Sequence, residues 1–301
     1  MGAGHPECPE RLDAIENRLL VSGVGDALIK RESSAAPIAD IELAHGRMYV
    51  AALRGLTDGL REEIDAGGPT HAQIDPDTSI NVHTWDAALR AAGAAIDATD
   101  AVMAGEMDNA FCSVRPPGHH ACKDKAMGFC FFNNAVVAAR YALERHGLKR
   151  VAIVDFDVHH GNGTENIVAG DQRILMVSFF QHPFYPDGGA RSNASNLVNV
   201  PVPAYTKGDH VRDLVEAHWL PRLHAYKPEM IFISAGFDAH RADDMGQMGL
   251  VEEDYAWITH RIMEVAQRHA KGRVVSCLEG GYNLDALAFS VESHIRVLAD
   301  F

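Results

Sequence analysis

From residue 150 onward the chain is punctuated by four short, nearly unbroken apolar runs: RVAIVDF (150–156), RILMVSF (173–179), EMIFISAG (229–236) and RVVSCLEGG (273–281). Strands with one wet face alternate apolar and polar residues. These runs do not, and continuous β-branched character is how strands covered on both faces of a parallel sheet read. Longer segments of helical period lie before and between them. CPERLDAIENRLL (8–20) sets Leu12, Ile15 and Leu19 on one stripe behind a proline and acids. HTWDAALRAAGAAIDATDAVMAG (83–105) is Ala-rich, with high intrinsic helix propensity. NNAVVAARYALERHG (133–147) opens on an Asn cap and closes at Gly147, and two more helices fit EEDYAWITHRIMEVAQRHAKG (252–272) and LDALAFSVESHIRVLAD (284–300). This alternation predicts an α/β three-layer sandwich of helix, parallel sheet and helix. No Ser- or Gly-rich linker divides it, so residues 1–301 read as one domain.

Composition narrows the function classes. With 47% hydrophobic and 23% charged residues, the chain has the make-up of a globular protein. The formal charge, 27 − 41 = −14, repels nucleic acid and anionic membrane, so neither is an expected partner. It favours encounter with cationic ones, such as lysine-rich peptides or polyamines. Five cysteines, an odd number without a CxxC pair, point to a reducing compartment. No targeting segment and no run of 18 apolar residues is present, and the expected location is cytoplasmic.

Polar chemistry collects just after the strands, in DFDVHHGNG (155–163), SFFQHPFYP (178–186), GFDAHRADD (236–244) and EGGYN (279–283). Open α/β sheets bind ligands at this carboxyl edge. Asp157 and His159, two apart in extended chain, point the same way and can share an ion. An isolated Asp-x-His is more often a solvated acid beside a packed imidazole, but Asp238 offers a third ligand from another strand end. One histidine and two carboxylates with an open position suit a catalytic divalent ion, zinc first, with Fe(II), Co(II) and Mn(II) also compatible. His160, their neighbour, reads as packing. RPPGHH (115–120) brings His119 and His120 out in tandem, one able to move a proton and the other to tune the field. Asp155 is the natural partner for one and Asn162 for the other. A carboxylate favours imidazolium more than an amide does, so the two should not be equivalent. Tyr282 after a double glycine is either an oxyanion donor or a tyrosine packed at a turn. Phe129 in GFCFFNN (128–134) and Tyr185 in HPFYP (182–186) could wall an apolar channel.

In order, HPECPERL, RPPGHH, GFCFFNN, DFDVHHGNG, AGFDAH and EGGYN make the sequence resemble the zinc-dependent histone deacetylase superfamily, over residues 4 to about 283. The resemblance is to the class II-like branch, with its deacetylase-like amidohydrolases and acetylpolyamine amidohydrolases. Asn162 and EGGY carry the class II mark. The resemblance implies an arginase-like fold with a mostly parallel, eight-stranded sheet. It implies Asp157, His159 and Asp238 as zinc ligands, His120 with Asn162 as general base and acid, and His119 with Asp155 as its electrostatic neighbour. It makes Tyr282 the transition-state tyrosine, and Gly128, Phe129, Tyr185 and Met245 the walls of an acyl-lysine tunnel. A structural potassium ion is implied near Asp155, Asp157, His159, Ser178 and Phe179. The activity implied is hydrolysis of acetyl or other short acyl groups from lysine side chains in peptides or proteins, or from acetylated polyamines.

Departures and rivals bound this reading. Relatives begin with a strand before the first motif; here that edge strand is absent or something else covers the edge, which leaves a homo-oligomer open. Tyr185 stands where Phe is usual and Phe180 where many relatives carry His. DDMGQMG replaces a D-P-L-G pattern, making Met245 a softer wall. A two-manganese ureohydrolase would need more carboxylates than FDVHHGNG offers. A noncatalytic binder of acylated lysine or polyamine would not need the base and oxyanion set.

Overall fold

The four apolar runs become the middle of a single parallel sheet. The computed structural model describes residues 2, 4–192 and 194–301. Its strands are β1 (His71–Asp75), β2 (Thr78–Asn81), β3 (Asn109–Cys112), β4 (Val151–Asp155), β5 (Ile174–Gln181), β6 (Leu197–Val202), β7 (Met230–Ala235) and β8 (Val274–Leu278). Six of them form one sheet in the order β3-β8-β7-β4-β5-β6, every neighbouring pair parallel. β1 and β2 pair apart from it as an antiparallel hairpin. Among the described residues the main sheet therefore has six strands where the resemblance implies eight. β3 is its outer strand on one side, and beside it runs a trough bordered by residues 27–33 and by helices of both layers.

Among the described residues ten α-helices flank the sheet: α1 (Glu10–Val21), α2 (Ile38–Ile41), α3 (Arg47–Asp65), α4 (Thr84–Ala104), α5 (Asn134–Glu144), α6 (Asn162–Val168), α7 (Gly208–Leu214), α8 (Leu220–Tyr226), α9 (Glu252–His269) and α10 (Leu284–Leu298). Strand periodicity sorts them into two layers. Ala152, Val154, Leu175, Val177, Ile231 and Ile233 point to the face packed by α1, α7, α8, α9 and α10. Their neighbours Val151, Ile153, Ile174, Met176, Met230 and Phe232 point to the face packed by α2, α3, α4 and α5. Both sides of each central strand are thus apolar, which is why no alternation marks them. The Asn cap forms as the sequence predicts, with Asn133 Oδ1 accepting the Val136 N–H at 3.1 Å. α5 stops at Glu144, so left-handed Gly147 (φ 71°) lies beyond the cap rather than in it.

Two buried histidines tie the layers together as neutral rings. His45 Nδ1 donates to the Cys122 carbonyl (3.0 Å) while its Nε2 accepts the Asn133 N–H (2.9 Å), joining the segment after α2 to the His119–His120 loop and the α5 cap. His294 in α10 bonds Thr259 Oγ1 (2.7 Å) and Ser276 Oγ (2.9 Å). Burial pushes His45 down to about 4 and His294 to about 3. Because the folded values lie below the unfolded one, the unfolded chain binds more protons in acid. Their stabilisation is complete above pH 6.5 and is lost as pH falls toward 4, by up to about 3 kcal/mol for His45. Unfolding midpoints should drop over that window, and the drop should be shallower in His294→Gln; equal slopes in the two proteins would remove His294 from this account.

Candidate active site

Every strand that ends near the middle of the sheet delivers a polar side chain to the same edge. β4 closes on Asp155, with Asp157 and His159 on the turn that follows. Asp238 comes three residues after β7, and Glu279 to Tyr282 follow β8 directly. His119 and His120 arrive on the loop between β3 and α5.

Asp157, His159 and Asp238 converge at once. Their ligand atoms lie within 4.8 Å of one another and all three residues are buried. His159 Nδ1 is 3.0 Å from Asp157 Oδ1 and 3.1 Å from Asp238 Oδ2. Two carboxylates packed this closely in a dry site require positive charge between them, a proton or a metal ion. Burial, then Asp157, pushes Asp238 up to about 7, and the two carboxylates overcome burial to hold His159 up at about 10. The remaining lone pairs are already oriented: Gly280 N–H donates to Asp157 Oδ2 (2.9 Å) and Val158 N–H to Asp238 Oδ1 (2.9 Å). A Cβ at Gly280 would overlap both carboxylates, and one at Gly236 would overlap Asp157. The glycines of EGGYN and AGFDAH thus keep this cradle open. Two hard oxygen donors, one imidazole and a glycine-cleared face fit a divalent cation.

The tandem histidines are inequivalent, as the sequence predicts. Their rings lie 4.0 Å apart. His119 Nδ1 donates to Asp155 Oδ2 (3.1 Å), and its Nε2 is 3.7 Å from Asp157 Oδ2. Burial alone would push this imidazole down, but Asp157 and Asp155 outweigh it and hold it well above its usual value. His120 goes the other way, held well below by burial and by the charges of His119 and His159. Its Nδ1 meets Asn162 Oδ1 at 2.7 Å. Asn162 Nδ2 faces the Met127 sulfur (3.4 Å), which can only accept, and the Cys122 sulfur (3.5 Å), whose own proton is directed to the His120 carbonyl. The proton of neutral His120 therefore sits on Nδ1, and Nε2 keeps its lone pair.

Tyr282 stands on the far side of the glycines. Burial, then Asp238, holds its phenol protonated well above the ordinary value. Its ring meets Phe129 edge-on at 6.0 Å. Phe129 is left-handed (φ 67°) after Gly128 (φ 56°), where a Cβ would overlap the His120 ring. Tyr185 brings its ring 5.3 Å from His120 and 6.0 Å from His159, and its buried hydroxyl has no hydrogen-bond partner among the described residues. Met245 is half-buried on the loop from Asp238, its N–H donating to Asp243 Oδ1 (2.9 Å). Ser178 is the register partner of Asp155 in the β4–β5 ladder, with Phe179 next to it. His160 turns away from the triad and packs on Phe180 (4.6 Å), but it also pairs with Glu165 (2.9 Å), so it is more than packing.

Several residues that position the site were not legible as such. Glu279 accepts the N–H groups of Gly118 (2.6 Å) and His119 (3.0 Å) and the Ser234 hydroxyl (3.0 Å), fixing the loop that carries the histidines. Fully buried Arg11 donates to the carbonyls of Gly281 (2.6 Å) and Glu279 (2.5 Å), and its guanidinium lies 5.0 Å from the Tyr282 ring centroid. Glu7 bridges Arg11 and Arg115. Asp243 accepts the N–H groups of Tyr282 (2.6 Å) and Asn283 (2.9 Å). Glu7 and Arg11 both lie in HPECPERL, Glu7 in the bend that precedes α1 and Arg11 in its first turn.

Fold and site together define an α/β protein with a hydrolase-type centre at the carboxyl edge of a parallel sheet. Residues 5–298 match the histone deacetylase domain. A histone deacetylase-like amidohydrolase from Pseudomonas aeruginosa is 38% identical over 93% of this chain and 73% of its own length. A probable deacetylase from Archaeoglobus fulgidus is 35% identical over 99% and 82%. The solved HDA15 HD domain superposes with a TM-score of 0.91 at 33% identity, covering 100% of this chain and 85% of that one. The chain belongs to the histone deacetylase family, a family of deacetylases and amidohydrolases.

The Glu279 contacts give a direct test. Glu279→Ala leaves two buried N–H groups and a hydroxyl without their acceptor, at about 1–3 kcal/mol each. The variant should unfold at lower temperature and lose deacetylase turnover together. Wild-type behaviour in both measurements would show that the His119–His120 loop holds itself.

Proposed function

We propose that residues 1–301 act as one catalytic domain, a zinc-dependent amidohydrolase that removes acetyl or other short acyl groups from lysine side chains or related amines. The observation that carries this reading is the pair of adjacent histidines with unlike partners, Asp155 on His119 and Asn162 on His120, beside a buried Asp–His–Asp triad. Asp157, His159 and Asp238 would hold a divalent ion, zinc before Fe(II), Co(II) or Mn(II), which when bound would supply Lewis-acid polarisation of the amide carbonyl and of water. His120 is the general base: its Nδ1–H is committed to Asn162, and Nε2 is free to take a proton from water. The same nitrogen then returns the proton to the departing amine. His119, kept cationic by Asp155 and Asp157, favours the negative charge that develops as the carbonyl is attacked. Tyr282, protonated and locked through Asp243 and Arg11, donates to the oxyanion.

Phe129, Tyr185, Gly128 and Met245 serve as the tunnel walls for the acyl-lysine stem. Asp155, Asp157, His159, Ser178 and Phe179 suit a structural potassium ion, since the β4–β5 register sets Asp155 beside Ser178. Asn162 at the His120 contact favours the class II-like branch. No helix among the described residues is long and apolar enough to cross a membrane, in keeping with a cytoplasmic enzyme. A free base nitrogen and a held phenol favour catalysis over mere acyl-lysine binding.

Tyr282→Phe should keep fold and metal yet lose about 2.7–4 kcal/mol of transition-state stabilisation, read as a fall of two to three orders of magnitude in kcat. Unchanged turnover would sink the oxyanion role. Asp238→Ala should purify with far less than stoichiometric zinc, and full occupancy by metal analysis would refute the ligand assignment.

A further inference from the structure

The loops carrying the proposed tunnel walls are stitched to a third loop that the mechanism does not use. Gln181, at the end of β5 and four residues before Tyr185, accepts the Gln247 N–H on Oε1 (2.8 Å) and pairs side chain to side chain with it (3.3 Å). Gln247 is two residues after Met245. Its carbonyl accepts the N–H of Tyr205 at 2.6 Å, and the Thr206 carbonyl accepts Gly249 N–H at 2.9 Å. The turn after β6 is therefore bound to the loops of both Tyr185 and Met245.

Tyr205 leaves this junction 77% exposed, against 64% for the terminal Phe301 and 41% for Phe289. It is also left-handed, with φ 65°. Among the described residues the other non-glycine positions with positive φ are Phe129, Asp187, Lys227, Lys271 and Asp300. Lys227, Lys271 and Asp300 follow the ends of α8, α9 and α10, where such residues ordinarily close helices. Phe129, Asp187 and Tyr205 lie instead in loops at the carboxyl edge of the sheet. A left-handed residue that is not glycine costs roughly 1–2 kcal/mol. At Tyr205 the turn itself holds that conformation, closed by the Thr206 N–H and hydroxyl on the Pro203 carbonyl (3.4 and 2.7 Å) and by the Tyr205 N–H on the Gln247 carbonyl. The exposed ring is thus fixed outward at the site edge, with no aromatic or cationic neighbour among the described residues, where it can meet something outside the chain.

We propose that Tyr205 is a specificity-determining residue, a fixed aromatic platform for the part of a peptide substrate that stays outside the tunnel, beside the acyl-lysine. This rests on the deacetylase reading above. The ring face suits the methylene stems and cationic heads of neighbouring lysine or arginine, and the −14 charge of the chain favours such sequences. A minimal substrate, free Nε-acetyl-lysine, has no flanking residues to place there.

The test compares zinc-loaded wild type with Tyr205→Gly, Tyr205→Ala and Tyr205→Phe on three substrates: Nε-acetyl-lysine, a lysine- and arginine-flanked acetyl-lysine peptide, and N-acetylputrescine. Tyr205→Gly and Tyr205→Ala should lose roughly five- to thirtyfold in kcat/KM on the peptide, through KM, with kcat and Nε-acetyl-lysine turnover unchanged. Tyr205→Phe should keep wild-type values. Tyr205→Gly should melt no lower than wild type, since glycine suits this backbone. Equal effects on peptide and Nε-acetyl-lysine, no effect on either, or a loss confined to N-acetylputrescine would each overturn the platform. A wild type that hydrolyses none of the three would overturn the deacetylase reading, and the inference with it.

Discussion

Five buried carboxylates at one end of the sheet set the terms for the rest of this molecule. Glu7, Asp155, Asp157, Asp238 and Glu279 are each at most 3% exposed. So much negative charge in a dry region is untenable without compensation. The compensation is drawn from the whole chain. His119 answers Asp155 and Asp157, backbone N–H groups answer Asp157, Asp238 and Glu279, and Arg11 and Arg115 answer Glu7. Arg11 reaches across 268 and 270 positions to the carbonyls of Glu279 and Gly281. The first helix and the last strand are thereby joined at the site, and the cation proposed for the triad would complete the balance.

The same compensation creates the chemistry. Two equivalent imidazoles could not be held one below and the other above the ordinary value. Here the difference comes from the far ring nitrogens, a carboxylate on His119 and an amide on His120. The charge that Asp155 stabilises on His119 then helps to keep a proton off His120. Glu279 adds to this arrangement from behind, fixing the loop of both histidines while its own carboxyl, pushed up to about 7 by burial, weighs less heavily on the total charge.

What the sequence made legible follows from the range of each interaction. The four central strands are apolar on both faces and stand out without any partner. β3 and β6 lie at the outside of the sheet, where one face or end is partly wet, and their four and six residues carry no unbroken run. The β1–β2 hairpin lies off the main sheet, and its HAQID and TSIN carry no apolar run, although Thr78 Oγ1 accepts the Phe129 N–H (3.0 Å) and so steadies that residue. The triad was legible because Asp157 and His159 are two residues apart and their type is scarce after a strand. Glu279, Asp243, Arg11 and His45 act on backbone groups from about 40 to 270 positions away. Backbone donors and acceptors carry no residue signature, so nothing local marks the side chains that serve them.

The departures from the family pattern fall on one side of this division. Phe180 is fully buried, but its contact is with the His160 ring, outside the triad. Tyr185 and Met245 sit on loops, and Tyr205 on the loop joined to them through Gln247. Of the three departures, Phe180, Tyr185 and Met245, none bonds to Glu7, Asp155, Asp157, Asp238 or Glu279; the Met245 N–H goes to Asp243. The charge balance is built from strand ends and buried backbone, where one substitution would strand a charge, whereas the walls hang from loops tied by neutral amide contacts. Selection on substrate can therefore reshape the walls at little electrostatic cost. It also fits an unpartnered hydroxyl at Tyr185 beside an intact charge balance.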